Sequence, residues 1–386
     1  MPLASAFGMG IDAASVTTMK NAGATPKYGQ TWVGDWMADS GWGGFDRDLT
    51  TMRDAGVTPV VMWYYWGDSI SPDCVKYGCD GRTKGEWDSL AKTMASHIKS
   101  IMGTRLVYVV LEPEFQKNGI ESWDTFDGYL ASQANTIRSL APSADLVVGF
   151  GHWGNWDIFD RAVAASDLVG FQVLRASTRD SSSKALATAD YMIEKTKALK
   201  SRWGKGVMVF DLGIATYGGW EGVQEKTLQN ILAKRAALDD AGVKAIIWRY
   251  VSDNHLSGGY FGNAEYSWGV KYSWGGKKPA YDELATLMSG GSGSTSTSST
   301  PTSTASGFDA SFSGVQVQEY WVQASVSGNQ GIAKVEARVA GGSWQILAKQ
   351  SWGGWAKSLH VLSGQKVEFR ATSTSGATDV SGGYYR

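Results

Sequence analysis

Eight short apolar runs, each followed by a stretch with helical spacing, occupy the first 288 residues of the chain. The runs fall at 7–11, 27–33, 58–64, 106–112, 145–150, 168–173, 207–212 and 245–250. Helical patterns separate them at 13–22, 44–55, 86–101, 122–140, 157–165, 185–203 and 221–241, and an eighth follows at 279–288. Several helical stretches stop at Ala-Gly, as at Ala22-Gly23, Ala55-Gly56 and Ala241-Gly242, where glycine suits a left-handed cap. Strands alternating with helices pair in parallel, because each crossover needs about the length of a helix. Eight such units in about 280 residues predict an α/β fold, a (β/α)8 TIM barrel. The competing reading is a doubly wound open sheet. It calls for a G-x-G-x-x-G phosphate turn after the first strand, and none is there.

The chain then changes character. Residues 289–307 read SGGSGSTSTSSTPTSTASG, with no large apolar side chain. Such a tract cannot bury a core and predicts a flexible linker. From Phe308 onward, short alternating runs are separated by Gly, Ser and Asn turns, the pattern of a small antiparallel β-sandwich. The expected domains are a barrel at 1–288, a linker at 289–307 and a sandwich at 308–386. Cys74 and Cys79 sit in one local segment and are read as a loop disulfide, against a pair of free thiols. The start, Met1-Pro2-Leu3-Ala4, lacks the basic and apolar regions of a signal peptide. No run of about 18 apolar residues predicts a membrane span.

Charge narrows the function. Lys and Arg total 36 against 37 Asp and Glu, a net charge of -1. A nucleic-acid binder draws affinity from phosphate contacts and normally carries a basic excess. A neutral polymer is the better-fitting partner. The chain also has 18 Trp, 14 before the linker and 4 after it. A surplus of indoles predicts ligand-facing aromatic surfaces.

In a barrel the chemistry sits at the C-terminal ends of the strands. The fourth run leads into Leu111-Glu112-Pro113-Glu114, and the seventh ends at Phe210-Asp211. Carboxylates and indoles on one rim suit acetal hydrolysis. One carboxyl protonates the leaving oxygen while a second acts as nucleophile or activates water. Glu112 follows a wholly apolar run, which should raise its pKa, and is the leading general acid. Its competing role is an ion pair with Arg175 or Arg249. Glu114 shares or takes over the acid role, or binds substrate. Asp211 is the second carboxylate, or a cap for the following turn. Trp32, Trp36, Trp63, Trp66, His152, Trp153, Gln172, Arg175, Trp220, Trp248 and Tyr250 are the expected substrate contacts. Asp35, Asp68 and Asp253 read as solvated or turn-capping loop residues. H-E-x-x-H is absent, and G-x-S-x-G lacks its strand–turn–helix context, so neither a metal, another cofactor nor a Ser/His/Asp triad is expected.

Leu111-Glu112-Pro113, Asp211 and Trp248 give the segment 5–288 a layout that resembles clan A of the glycoside hydrolases. Barrels of that clan place the acid Glu after strand 4 in an Asn-Glu-Pro context. Their nucleophile ends strand 7, and strand 8 often carries a Trp under the reacting sugar. Two departures stand out: Leu111 replaces the Asn, and Asp211 replaces a Glu. The shorter arm of Asp211 leaves room for water, so inversion is open beside retention. In the tail, Trp344-Gln-Ile-Leu, Ser351-Trp-Gly-Gly-Trp355 and Lys366-Val-Glu-Phe-Arg-Ala-Thr are similar to the C-terminal carbohydrate-binding domain of expansins and grass-pollen allergens. That resemblance implies that Trp344, Trp352 and Trp355 meet a flat polysaccharide face, with Tyr320 and Trp321 as further positions. The competing reading is that one or two of these, Trp321 first because it lies in an apolar run, fill the sandwich core.

The resulting expectation is a secreted, monomeric, endo-acting glycoside hydrolase. Its substrate is a neutral β-linked polysaccharide, with β-glucan such as cellulose ahead of chitin, mannan and β-1,3-glucan. A non-catalytic wall-binding or wall-loosening protein is the rival from another class. A polysaccharide lyase or deacetylase is the third reading.

Overall fold

Parallel pairing runs without interruption around the first 288 residues. The computed structural model describes residues 7–151, 156–254, 259–273, 275–289, 308–318, 320–350, 353–362, 365–381 and 383–385. The strands are β1 (Gly8–Asp12), β2 (Tyr28–Val33), β3 (Thr58–Trp63), β4 (Val107–Leu111), β5 (Ala144–Phe150), β6 (Leu168–Arg175), β7 (Gly206–Ile214) and β8 (Val243–Trp248). They follow one another in chain order, and β8 pairs with β1 to close the barrel. Each expected strand is present, with ends shifted by at most two residues. The helices expected at 185–203 and 221–241 each break in two, as Ser182–Leu186 with Thr188–Trp203 and Glu221–Ala233 with Arg235–Ala241.

Two apolar layers hold the barrel. Inside, Tyr28, Val60, Met62, Val110, Val147, Met208, Phe210 and Ile247 pack on one another. Outside, Val61, Val109, Val148, Val209 and Ile246 meet the helices. The helix Lys84–Met102 shows why they dock. It buries Trp87, Ala91, Met94, Ala95, Ile98 and Met102 along one face, and Thr83 caps it by accepting from the Glu86 N–H. Gly149 leaves room beneath the loop after β4. A Cβ there would lie 2.7 Å from Val110 and 3.1 Å from the Pro113 Cα. Cys74 and Cys79 are joined as a disulfide.

The chain divides into two compact units, Met1–Gly293 and Ser294–Arg386. The tract expected as a linker lies, from residue 290 to 307, outside the described residues. In the second unit the strands are β9 (Ala310–Gln318), β10 (Trp321–Gly328), β11 (Ile332–Val339), β12 (Gln345–Ile346), β13 (Ala348–Lys349), β14 (Trp355–Lys357), β15 (Lys366–Ser373), β16 (Thr378–Val380) and β17 (Tyr384–Tyr385). One antiparallel sheet runs β13-β14-β10-β9. The other runs β12-β11-β15-β16, with β17 on β15. Val322 and Ala324 of the first sheet share a core with Val335, Ala337, Val367 and Phe369 of the second. Burial along β15 alternates residue by residue, as a half-buried strand requires.

The tail tryptophans differ from the expectation. Trp355 is buried in the sandwich core, and Trp321 is only half-buried, its indole N–H donating to Gln323 at 3.0 Å. Trp344 is half-buried against two guanidiniums, 4.6 Å from Arg338 and 4.5 Å from Arg370. Trp352 lies outside the described residues.

Candidate active site

The loop after β4 decides where the carboxylates go. Along β4, Tyr108 and Val110 face the barrel interior, so simple alternation would aim Glu112 inward as well. The backbone departs from alternation there. Glu112 has φ 42° and Glu114 has φ 66°, with Pro113 between them. The left-handed region costs a side-chain-bearing residue roughly 1–2 kcal/mol, so two such residues in sequence store strain at one loop.

The first turn carries Glu112 out of the interior. Its carboxylate accepts from the Tyr65 N–H at 3.2 Å, the Trp66 N–H at 3.3 Å and the Trp87 indole N–H at 2.6 Å. It is 1% exposed and does not line the cavity at the barrel mouth. Burial pushes its pKa up to about 8, against the pull of those three donors. The group read from sequence as the leading acid therefore braces the β3 loop against a helix.

The second turn delivers Glu114 into the cavity. That cavity is about 870 Å³. Trp32 and Trp36 line it from β2 and the loop beyond, Tyr64 and Asp68 from the β3 side, and Glu114, Lys117 and Asn118 from the β4 side. Gln172 and Leu174 come from β6, and Arg249, Tyr250, Asn254, Tyr260, Phe261 and Glu265 from the β8 side. Burial raises the Glu114 pKa, while Lys117, Arg249 and a hydrogen bond from Gln172 pull it back. Lys117 Nζ lies 3.8 Å from Glu114, 2.5 Å from Asp68 and 3.2 Å from the Tyr64 hydroxyl.

Asp211 is placed by a bulge. The β6–β7 register pairs Phe171 with Val209 and then Gln172 with Asp211, so Phe210 is the extra residue. The bulge turns Asp211 toward the interior, and Gln30 donates to the Phe210 carbonyl at 2.9 Å. Asp211 is fully buried and ion-paired with Arg249. Burial pushes it up to about 6, Glu114 adds to the rise, and Arg249 opposes it. At neutral pH the pair is ionised. Asp211 Oδ1, Gln172 Oε1 and Arg249 Nε are buried without a hydrogen-bond partner. Buried polar atoms are rarely left so.

Of the expected substrate contacts, Trp32, Trp36, Gln172 and Tyr250 line the cavity. The others among the described residues are elsewhere. Trp63 donates to Gln133 on a helix at 2.9 Å, and Trp66 packs 5.9 Å from Trp87. Trp248 is fully buried in the outer layer, one residue before the inward Arg249. Arg175 stacks 5.1 Å from Tyr191 on a helix, and Trp220 is half-buried against the outer layer. His152 and Trp153 lie outside the described residues. Most of these indoles fill the shell between strands and helices. Asp35 pairs with Arg82 at 2.7 Å, and Asp253 holds Gly269 and Lys278, as loop residues do. Asp68 is the solvated loop residue expected, its side chain 89% exposed, and it also lines the cavity. Sequence reasoning missed Tyr64, Lys117 and Arg249 as cavity residues. Lys117, three residues past Glu114, was the available signal.

No family model and no curated protein matches the sequence. Solved structures do share its architecture. An exo-beta-1,4-mannosidase from Opitutaceae bacterium strain TAV5 aligns at a TM-score of 0.56 and 15% identity, over 73% of this chain and 59% of that one. A family 39 glycoside hydrolase from the gut symbiont Bacteroides cellulosilyticus WH2 aligns at 0.54 and 12% identity, over 94% and 80%. A GH5_18 protein from Bifidobacterium longum subsp. longum, in complex with Manb1-4GlcNAc, aligns at 0.52 and 11% identity, over 73% and 78%. At these identities the likeness establishes the barrel fold.

Proposed function

We propose that the barrel is a glycoside hydrolase acting on a polysaccharide, with Glu114 as general acid and Asp211 as the second carboxylate. One observation carries the reading. Glu114 from the β4 end lines the cavity, and Asp211 from the β7 end lies buried behind it, ion-paired with the cavity residue Arg249. Glu114 is partly buried with its pKa raised by burial, the direction that a group giving its proton to the glycosidic oxygen needs. Asp211 is ionised beside Arg249, and its unpartnered Oδ1 attacks the anomeric carbon or activates a water. Gln172 Oε1 accepts from a sugar hydroxyl, and Trp32 and Trp36 stack on the ring faces. Neutral β-glucan remains the first substrate, with chitin, mannan and β-1,3-glucan beside it. The mannosidase among the similar structures keeps mannan on that panel. The Cys74–Cys79 disulfide supports an extracellular setting.

The test is reducing-end release from that panel by wild type and Glu114→Gln. Release that disappears in the variant supports the reading, and release unchanged by it on every substrate overturns it. A second reading, a barrel that binds polysaccharide without cutting it, is favoured by the full burial of Asp211 beneath Arg249. Retention of protein on an insoluble polysaccharide with no product would select it.

A further inference from the structure

The outward face of the β11–β15 pair carries charges that the barrel chemistry does not use. Register sets Glu336 opposite Arg370 and Arg338 opposite Glu368. Arg370 reaches Glu336 at 2.8 Å and Lys334 reaches it at 3.2 Å. Arg338 reaches Glu368 at 2.7 Å and Lys366 reaches it at 3.0 Å. Two acids thus serve four cations, and two positive charges are left over.

Depth sharpens the imbalance. The Glu336 and Glu368 side chains are 7% and 15% exposed, whereas those of Lys334 and Lys366 are 41% and 38% exposed. The carboxylates lie underneath and the ammonium groups meet solvent. Trp344 lies against the guanidiniums of Arg338 and Arg370 and holds them in place. The whole segment follows the same sign. Residues 308–386 hold seven Lys and Arg against five Asp and Glu, while residues 1–307 hold 29 against 32.

We propose that this face binds an acidic polysaccharide bearing a carboxylate on its repeating sugar. Lys334 lies opposite Thr372 and Lys366 one step beyond the Val339–Val367 pair, so the two exposed ammonium groups start about 20 Å apart along the strands, a span that an extended polymer covers. Trp344, the indole at this face, is half-buried against its two guanidiniums, which suits it less to stacking a neutral sugar or a base. Single-stranded nucleic acid wants exposed aromatics along a basic groove, so it fits less well. The inference rests on the second unit alone and does not depend on the barrel being catalytic. It also departs from the neutral partner that overall charge suggested.

The experiment is affinity electrophoresis of the full chain in polygalacturonate, in its methyl-esterified form and in single-stranded DNA, at low and at 0.5 M NaCl. Retardation by polygalacturonate alone, lost at high salt and weakened about tenfold in Lys334→Gln/Lys366→Gln, is the expected result. The double variant alters exposed side chains, and unchanged circular dichroism confirms its fold. No retardation by polygalacturonate, equal retardation by the ester or DNA, insensitivity to salt, or full binding by the variant would each overturn the proposal.

Discussion

Glu112 and Glu114 point to opposite sides of the β4 loop, one bonded to the Trp87 indole at 2.6 Å and the other 3.8 Å from Lys117 in the cavity. Only Pro113 separates them. Two left-handed residues in the loop produce the divergence, so one carboxyl braces the scaffold and its neighbour is free for chemistry.

The bracing carboxyl has a pH signature. Burial raises Glu112 to about 8, so the native state holds a proton that the unfolded chain releases near pH 4.5. Stability therefore falls as pH rises between those values, by at most about 5 kcal/mol from this group. Urea midpoints from pH 5 to 9 should show the slope in wild type and lack this component in Glu112→Gln. The variant loses one accepted hydrogen bond, about 1–2 kcal/mol at pH 5, and the gap should narrow toward pH 9.

Lys117 should set the alkaline limb of the pH–rate profile. A general acid works only while protonated, and the Lys117 charge holds the Glu114 pKa down against burial. Lys117→Met should move the alkaline limb of kcat/KM to higher pH. An unmoved limb means that another group titrates there.

Asp211 and Arg249 separate by double substitution. Asp211→Asn leaves the Arg249 guanidinium without its partner and should cost about 3 kcal/mol. Adding Arg249→Met should recover part of that stability while activity stays low. Thermal melts and initial rates on the same samples read both effects.

The indoles divide by position. Trp36→Ala, on the cavity wall, should raise KM several-fold at little cost in stability, since its residue is 42% exposed. Trp248→Ala removes a fully buried side chain and should cost about 3–5 kcal/mol, with KM in the surviving fold near the wild-type value.

Those contrasts show where the sequence was legible. Apolar runs and glycine stops marked all eight barrel strands, because both backbone periods and caps are local. Which way a strand-end side chain faces is a different matter. Parallel strands are buried on both sides, so Ile247-Trp248-Arg249 shows no alternation to reveal that Arg249 faces in and Trp248 out. The bulge at Phe210 shifts parity within β7, and the positive φ at Glu112 reverses it after β4. Neither has a glycine or Asn-Gly signal in sequence. Trp355 departs for another reason: its exposure came from the expansin resemblance, yet here the indole enters the core.

Turnover by Glu114→Gln beside Glu112→Gln is the most direct measurement. The predicted result is a kcat on polysaccharide lowered at least about 100-fold in Glu114→Gln, with a much smaller loss on a dinitrophenyl glycoside, whose leaving group needs no proton. Glu112→Gln should stay within a few-fold of wild type on both. Loss confined to Glu112→Gln, with Glu114→Gln fully active, would contradict the assignment of Glu114 as the acid.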